Sequence, residues 1–313
     1  MKSQQLYSAD EVAHVLHAYR SIFPRITPEL VDYWGLQRGR PWSYVTSDFH
    51  DVTFEKLKVI HERTLEIDRK GLGEQARGSA LRDAALSTGV GYSIGISPWT
   101  DNLLARTYSD KKDSVVILVG HDWYPIVTGD RPSGTPLMSW DSLHEVERYW
   151  PGAPQAVLDG TVVGLFVNLY PDYRPPGDPK CGNLAKYGYS YKQCLQGLDA
   201  LVIEVRKRFK QVRVISWGSN VWSALLPRVA NHRPSVLLST AVQETSGRVH
   251  SIALGGQELP YLPVMHPGHW GNFGRAAHLR HVKAGYAALE LGLPGLSDSK
   301  DGRVRAAREV VLA

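Results

Sequence analysis

The chain has 313 residues, of which 43% are hydrophobic and 21% charged, and carries a formal net charge of +5. That balance excludes a wholly disordered chain, and no run approaches the roughly 18 apolar residues that a membrane span needs. Two cysteines, Cys181 and Cys194, are too few for a disulfide framework or a four-cysteine metal cluster. The first twenty residues include Asp10 and Glu11 and do not read as a signal peptide, so the expected location is cytoplasmic. The basic excess permits a polyanionic partner without demanding one.

In chain order, residues 1–110 read as a helical N-terminal extension. Ser8-Ala9-Asp10-Glu11 is a capping-box pattern, and Val12, Val15, Leu16 and Tyr19 then recur at helical spacing. From residue 111 to the end the texture is that of an α/β core. Short apolar, β-branched runs at 114–119, 161–167, 212–217 and 261–265 are separated by helical segments. Runs of this kind suit strands buried on both faces of a parallel sheet. The longest intervening helix is predicted over 191–209, with Leu195, Leu198, Leu201, Val202 and Val205 as its inner face. Further helices begin near Ser219 and near Arg275. The expected fold is α/β: a central, mainly parallel, four-stranded sheet flanked by helices and preceded by the helical extension.

Ligands of open parallel sheets bind beyond the carboxyl ends of the strands. Just past or at the end of each run the sequence delivers a polar group: His121 and Asp122, Asn168, Ser219 and Asn220, and His266. Each alone has an ordinary structural explanation. Asp122 can cap a helix, Asn168 can bond local backbone, and a loop histidine is more often structural than catalytic. Their shared position at four strand ends is what points to a catalytic cleft.

These segments resemble the uracil-DNA glycosylase superfamily. V-I-L-V-G-H-D-W-Y-P at 116–125 looks like that family's water-activating strand and loop, and G-L-F-V-N at 164–168 is similar to its strand ending in a base-reading Asn. I-S-W-G-S at 215–219 and M-H-P-G at 265–268 resemble two later motifs, in the same order, and the resemblance spans about residues 114–291. The departures are His121, Trp123 and Pro125, where the family has Gln, Pro and His, and Gly268, where it has Ser.

The resemblance implies a monofunctional DNA glycosylase that needs no cofactor and no metal. In it Asp122 orients water and stabilises an oxocarbenium-like sugar, and His266 donates to the departing base. Asn168, His121, Tyr124 and Trp140 line the base site. Ser219, Asn220, Trp270, Phe273 and Arg275 contact DNA, with His269, Trp270 and Phe273 as the candidates to replace the flipped nucleotide and Arg275 as a phosphate contact. The implied partner is DNA, with neither a membrane nor an obligate protein partner. For the substrate, Tyr124 aligns with the family tyrosine that excludes 5-methyl groups and favours uracil. The altered neighbours of Tyr124 and the nine tryptophans favour a bulkier base. A branch of the superfamily excises glucosylated 5-hydroxymethylcytosine in phage defence, and this chain is expected to belong there, with uracil repair as the alternative.

A non-catalytic DNA-binding relative would need neither Asp122 nor His266. A serine hydrolase would need a G-x-S-x-G elbow between a strand and a helix; Gly91-Tyr92-Ser93-Ile94-Gly95 has that spacing, but no clear strand precedes it and it reads as an ordinary turn. His278 and His281, three apart on a predicted helix, read as a solvated face rather than a metal site. The basic run 206–210 also reads as solvated helix surface.

Overall fold

A computed structural model describes residues 9–24, 99–121, 152–169, 191–231, 236–266 and 275–294. Its centre is a five-stranded sheet in the order β2-β1-β3-β5-β4. The strands are β1 (Ser114–Gly120), β2 (Val163–Asn168), β3 (Gln211–Trp217), β4 (His250–Leu254) and β5 (Gln257–Val264). The neighbours β2, β1, β3 and β5 run parallel, and β4 is antiparallel to β5. The four expected runs are the four parallel strands, but the sheet is not four-stranded. The fifth strand, β4, joins β5 through Gly255 and Gly256, at φ +58° and +75°. Two successive left-handed residues form the tight turn whose twist suits a hairpin, and glycine takes that conformation without a Cβ penalty.

Helices cover both faces: α1 (Ala9–Ile22), α2 (Trp99–Thr107), α3 (Gln155–Leu158), α4 (Tyr191–Arg208), α5 (Gly218–Leu225), α6 (Leu238–Glu244) and α7 (Arg275–Ala288). Because successive strand residues point to opposite faces, the apolar strands split their side chains between two cores. Val115, Ile117 and Val119 of β1, with Val163, Leu165 and Val167 of β2, pack with α1, α4, α5 and α6. Val116, Leu118, Phe166, Ile215, Trp217, Leu262 and Val264 point the other way and meet α3 and α7. No helix among the described residues is long and apolar enough to cross a membrane.

In α1, Val15, Ala18, Tyr19 and Ile22 form a stripe at helical spacing, and all are buried in the first of these cores together with β1 and α4. The N-terminal helix is thus part of the same apolar interior as the sheet. The capping residue Ser8 lies outside the described residues.

The basic run at the end of α4 is only partly the solvated surface expected from sequence. Lys207 and Lys210 are exposed beside Glu204 and Asp113. Arg208 is not. Its guanidinium donates to the carbonyls of Lys112 and Ser109 at 2.9 and 3.2 Å and lies over the rings of Tyr108 and Phe209. A long side chain that can cover aromatic rings while its head binds backbone belongs to the packing, whatever its charge.

The outer flank of β2 is closed by helix side chains, whereas that of β5 is paired with β4. On the β2 side, Thr100 of α2 accepts from the Phe166 N–H at 3.0 Å and donates to its carbonyl at 2.6 Å, while Thr107 accepts from the Gly164 N–H at 3.0 Å. Exposed strand edges carry unpaired N–H and C=O groups, and these hydroxyls take the place of a missing neighbour.

Candidate active site at the carboxyl edge of the sheet

The parallel strands present their carboxyl ends along one rim, in the spatial order Asn168, Gly120, Trp217 and then His266, which follows β5 and Met265. From β1 the chain goes first to β2 on one side and later to β3 on the other, so the chain changes direction between β1 and β3, where such sheets open a crevice.

Gly120 shapes this rim. It pairs directly with Asn168, and continuing the register in which Val119 pairs with Ser216 places Trp217 level with it on the other side. A Cβ at Gly120 would lie 2.4 Å from Asn168 Oδ1 and 3.2 to 3.3 Å from the Phe166 ring. The space that a side chain would fill therefore holds the amide of Asn168 and the edge of Phe166. Through this gap Phe166 reaches across β1 to meet Trp217 edge to face, with ring centroids 5.1 Å apart at 72°. Asn168 is 6% exposed, so its amide has little freedom to leave this position.

On the other side of Trp217 stands His266, exposed, with its ring edge-on to the indole at 5.9 Å and 73°. Gly218 turns the chain from β3 into α5 at φ +83°, and its Cβ would come to 3.4 Å from His266 Cβ. Asn168 and His266 thus flank a floor made by Phe166 and Trp217. The indole Nε1 of Trp217 is buried with no hydrogen-bond acceptor among the described residues. Ser219 and Asn220 are exposed in the first turn of α5, which begins without a side-chain cap.

His121, the residue after β1, is buried and packs edge-on against Tyr191, the first residue of α4, at 6.3 Å, with its Nε2 3.4 Å from the phenol oxygen. It stands on the α4 side of the rim. Arg275 is the first residue of α7. Asp122, Tyr124, Trp140, Trp270 and Phe273 lie outside the described residues.

His278 and His281 are not the solvated face expected from sequence: their exposures are 2% and 0%. His278 Nε2 accepts from the Met265 N–H at 3.0 Å. His281 Nδ1 accepts from the Gly247 N–H at 2.9 Å, and its Nε2 bonds the Pro263 carbonyl at 2.8 Å. Burial holds His278 at a pKa of about 3 and lowers that of His281, so both imidazoles are neutral. Among the described residues no group of three or more His, Cys, Asp or Glu is placed to hold a metal ion. Cys194 is no nucleophile: it is buried, and desolvation pushes its thiol up to about 12.

The aromatic floor was not anticipated from sequence. Its signal was the alternation of Phe166 with Asn168 and the glycine closing an otherwise β-branched strand. Comparison with models of known protein families, with curated proteins and with solved structures found no match to this chain.

Proposed function

We propose that this protein is a DNA glycosylase of the uracil-DNA glycosylase type, which hydrolyses the N-glycosidic bond of a flipped-out modified pyrimidine and leaves an abasic site. The observation that carries the reading is the pairing of a confined amide, Asn168, with an exposed imidazole, His266, across the Phe166–Trp217 floor at the carboxyl rim. The two residues follow strands three steps apart, about 14 Å between backbones at the usual strand spacing, and their side chains reach inward from there. A planar base is the kind of ligand that an aromatic floor with polar walls accepts.

The chemistry follows from what must be stabilised. The base leaves as an anion, and a donor placed at its O2 contributes about 3–4 kcal/mol in a water-poor site. His266 has that role. Asn168 carries both a donor and an acceptor for the Watson–Crick edge, and by a flip of its amide it can face either a uracil or a cytosine edge. Asp122, next in the chain after His121, is assigned the carboxylate that orients water and offsets the positive sugar. A stacked duplex hides the scissile bond, so the nucleotide is extruded at a cost of a few kcal/mol. The uncapped start of α5, with Ser219 and Asn220, offers N–H groups to a phosphate.

The preferred substrate is a bulky 5-substituted cytosine such as glucosylated 5-hydroxymethylcytosine, which gives the enzyme a role against phage DNA. Uracil is the second reading, favoured by Tyr124. Oligonucleotides carrying each base, scored for alkali-labile abasic sites, test both. Release of one base class, falling by orders of magnitude in Asp122→Asn and in His266→Ala, supports the proposal. Tight DNA binding with no release of any base would leave a non-catalytic binding protein.

A further inference from the structure

We infer that His278 is a positioning residue for His266, acting through the backbone of Met265, with His281 as the second arm of the same clamp. The inference rests on the reading of His266 as the donor to the departing base.

The need for a clamp comes from the sheet. β4 pairs with β5 only between Gln257 and Tyr261. Beyond Tyr261 no strand among the described residues lies beside the flank of β5 turned away from β3, yet this is the stretch that leads to His266. Here α7 supplies the partners: His281 takes the carbonyl of Pro263, and His278 takes the N–H of Met265. A third bond ties the arrangement to the turn before β4, where the Gly247 N–H donates to His281.

Close approach makes these bonds reachable. A Cβ at Gly285 would lie 2.5 Å from both terminal methyl carbons of Leu262, so α7 rests on β5 at a glycine. A Cβ at Gly247 would lie 2.2 Å from that of Ala284. His278, His281, Val282 and Gly285 recur at helical spacing on the side of α7 that faces β5. The bonding also dictates the tautomers. An imidazole nitrogen that accepts from an N–H carries no proton, so His278 bears its hydrogen on Nδ1 and His281 on Nε2. Burial lowers both pKa values, that of His278 to about 3, which favours these neutral forms.

A positioning role separates from a structural one by rate, affinity and rescue. In His278→Leu the acceptor is lost while the volume is largely kept. Single-turnover base release is expected to fall about 100-fold, the usual cost of a misplaced catalytic group, with DNA affinity unchanged. His278→Gln puts an amide oxygen near the site of Nε2 and is expected to recover most of the rate. Full activity in His278→Leu, or equal loss in both variants, overturns the inference while base release by the unaltered protein stands. Failure of the unaltered protein to release any base removes the glycosylase reading and this inference with it. Should His278→Leu not fold, nitrogen-15 spectra of the unaltered protein decide: a proton on His278 Nε2 overturns the clamp, and an unprotonated Nε2 coupled to the Met265 amide supports it.

Discussion

Gly120→Ala is the sharpest probe of the rim. The backbone there is ordinary strand, so the change adds one methyl group and little else. That methyl would sit 2.4 Å from Asn168 Oδ1, about 0.9 Å inside the roughly 3.3 Å at which carbon and oxygen touch. The amide alone could swing aside, but the Phe166 ring at 3.2 to 3.3 Å is already tight and is braced by Trp217. Overpacking of this kind typically costs about 1–3 kcal/mol. For a chain of this size that lowers the melting temperature by a few degrees. A double-mutant cycle isolates the cause. In an Asn168→Ala background the worst contact is gone, so Gly120→Ala should cost distinctly less there, with a coupling energy of about 1 kcal/mol. Calorimetry or urea titration of the four proteins measures it, and base release read in parallel should fall in Gly120→Ala because the amide is displaced. Strictly additive stabilities, with unaltered activity in Gly120→Ala, would refute the idea that this glycine holds Asn168 and Phe166 in place.

Three other expectations follow from the packing. His278 and His281 are neutral in the fold but have a pKa of about 6.5 once unfolded, so their contribution is complete above about pH 6.5. It is lost as the pH falls toward the folded values, at up to about 1.4 kcal/mol per pH unit for each histidine; urea midpoints at pH 7.5 and pH 5 should differ accordingly, and equal midpoints would contradict the burial. Arg208→Ala should destabilise by about 2–3 kcal/mol, since it removes charged hydrogen bonds to two carbonyls and the cover over Tyr108 and Phe209, and a stability within 0.5 kcal/mol of the parent would return Arg208 to the solvated surface. Cys194 should resist iodoacetamide in the native protein and react after unfolding, as site-resolved mass spectrometry would show.

How much of this was legible beforehand depended on whether a residue's partner is local. The four parallel strands were readable because burial on both faces demands unbroken apolar runs, and Asn168 and His266 were readable as polar residues at strand ends. β4 was missed because it is short and only Ile252 and Leu254 of its five residues are buried, too brief an alternation to stand out as a strand. Gly255-Gly256 was the available signal, as a two-residue hairpin turn. His278 and His281 misled because a polar pair on a helix usually faces water. Their partners are backbone groups of a strand edge, which no helical period reveals. Arg208 misled for the same reason, its ligands being carbonyls of a distant loop.

The burial of α1 has a consequence for how the chain is made. Its apolar stripe of Val15, Ala18, Tyr19 and Ile22 is synthesised well before α4, which begins only at Tyr191 and supplies part of its cover. Until then α2 and β1 can cover the stripe only in part, at the stage when a nascent polypeptide is most prone to misassociate. Its docking joins the two halves of the molecule through contacts very distant in sequence, which is the slow kind to form. Such a protein should emerge in better yield at low temperature or with a chaperone that shields α1.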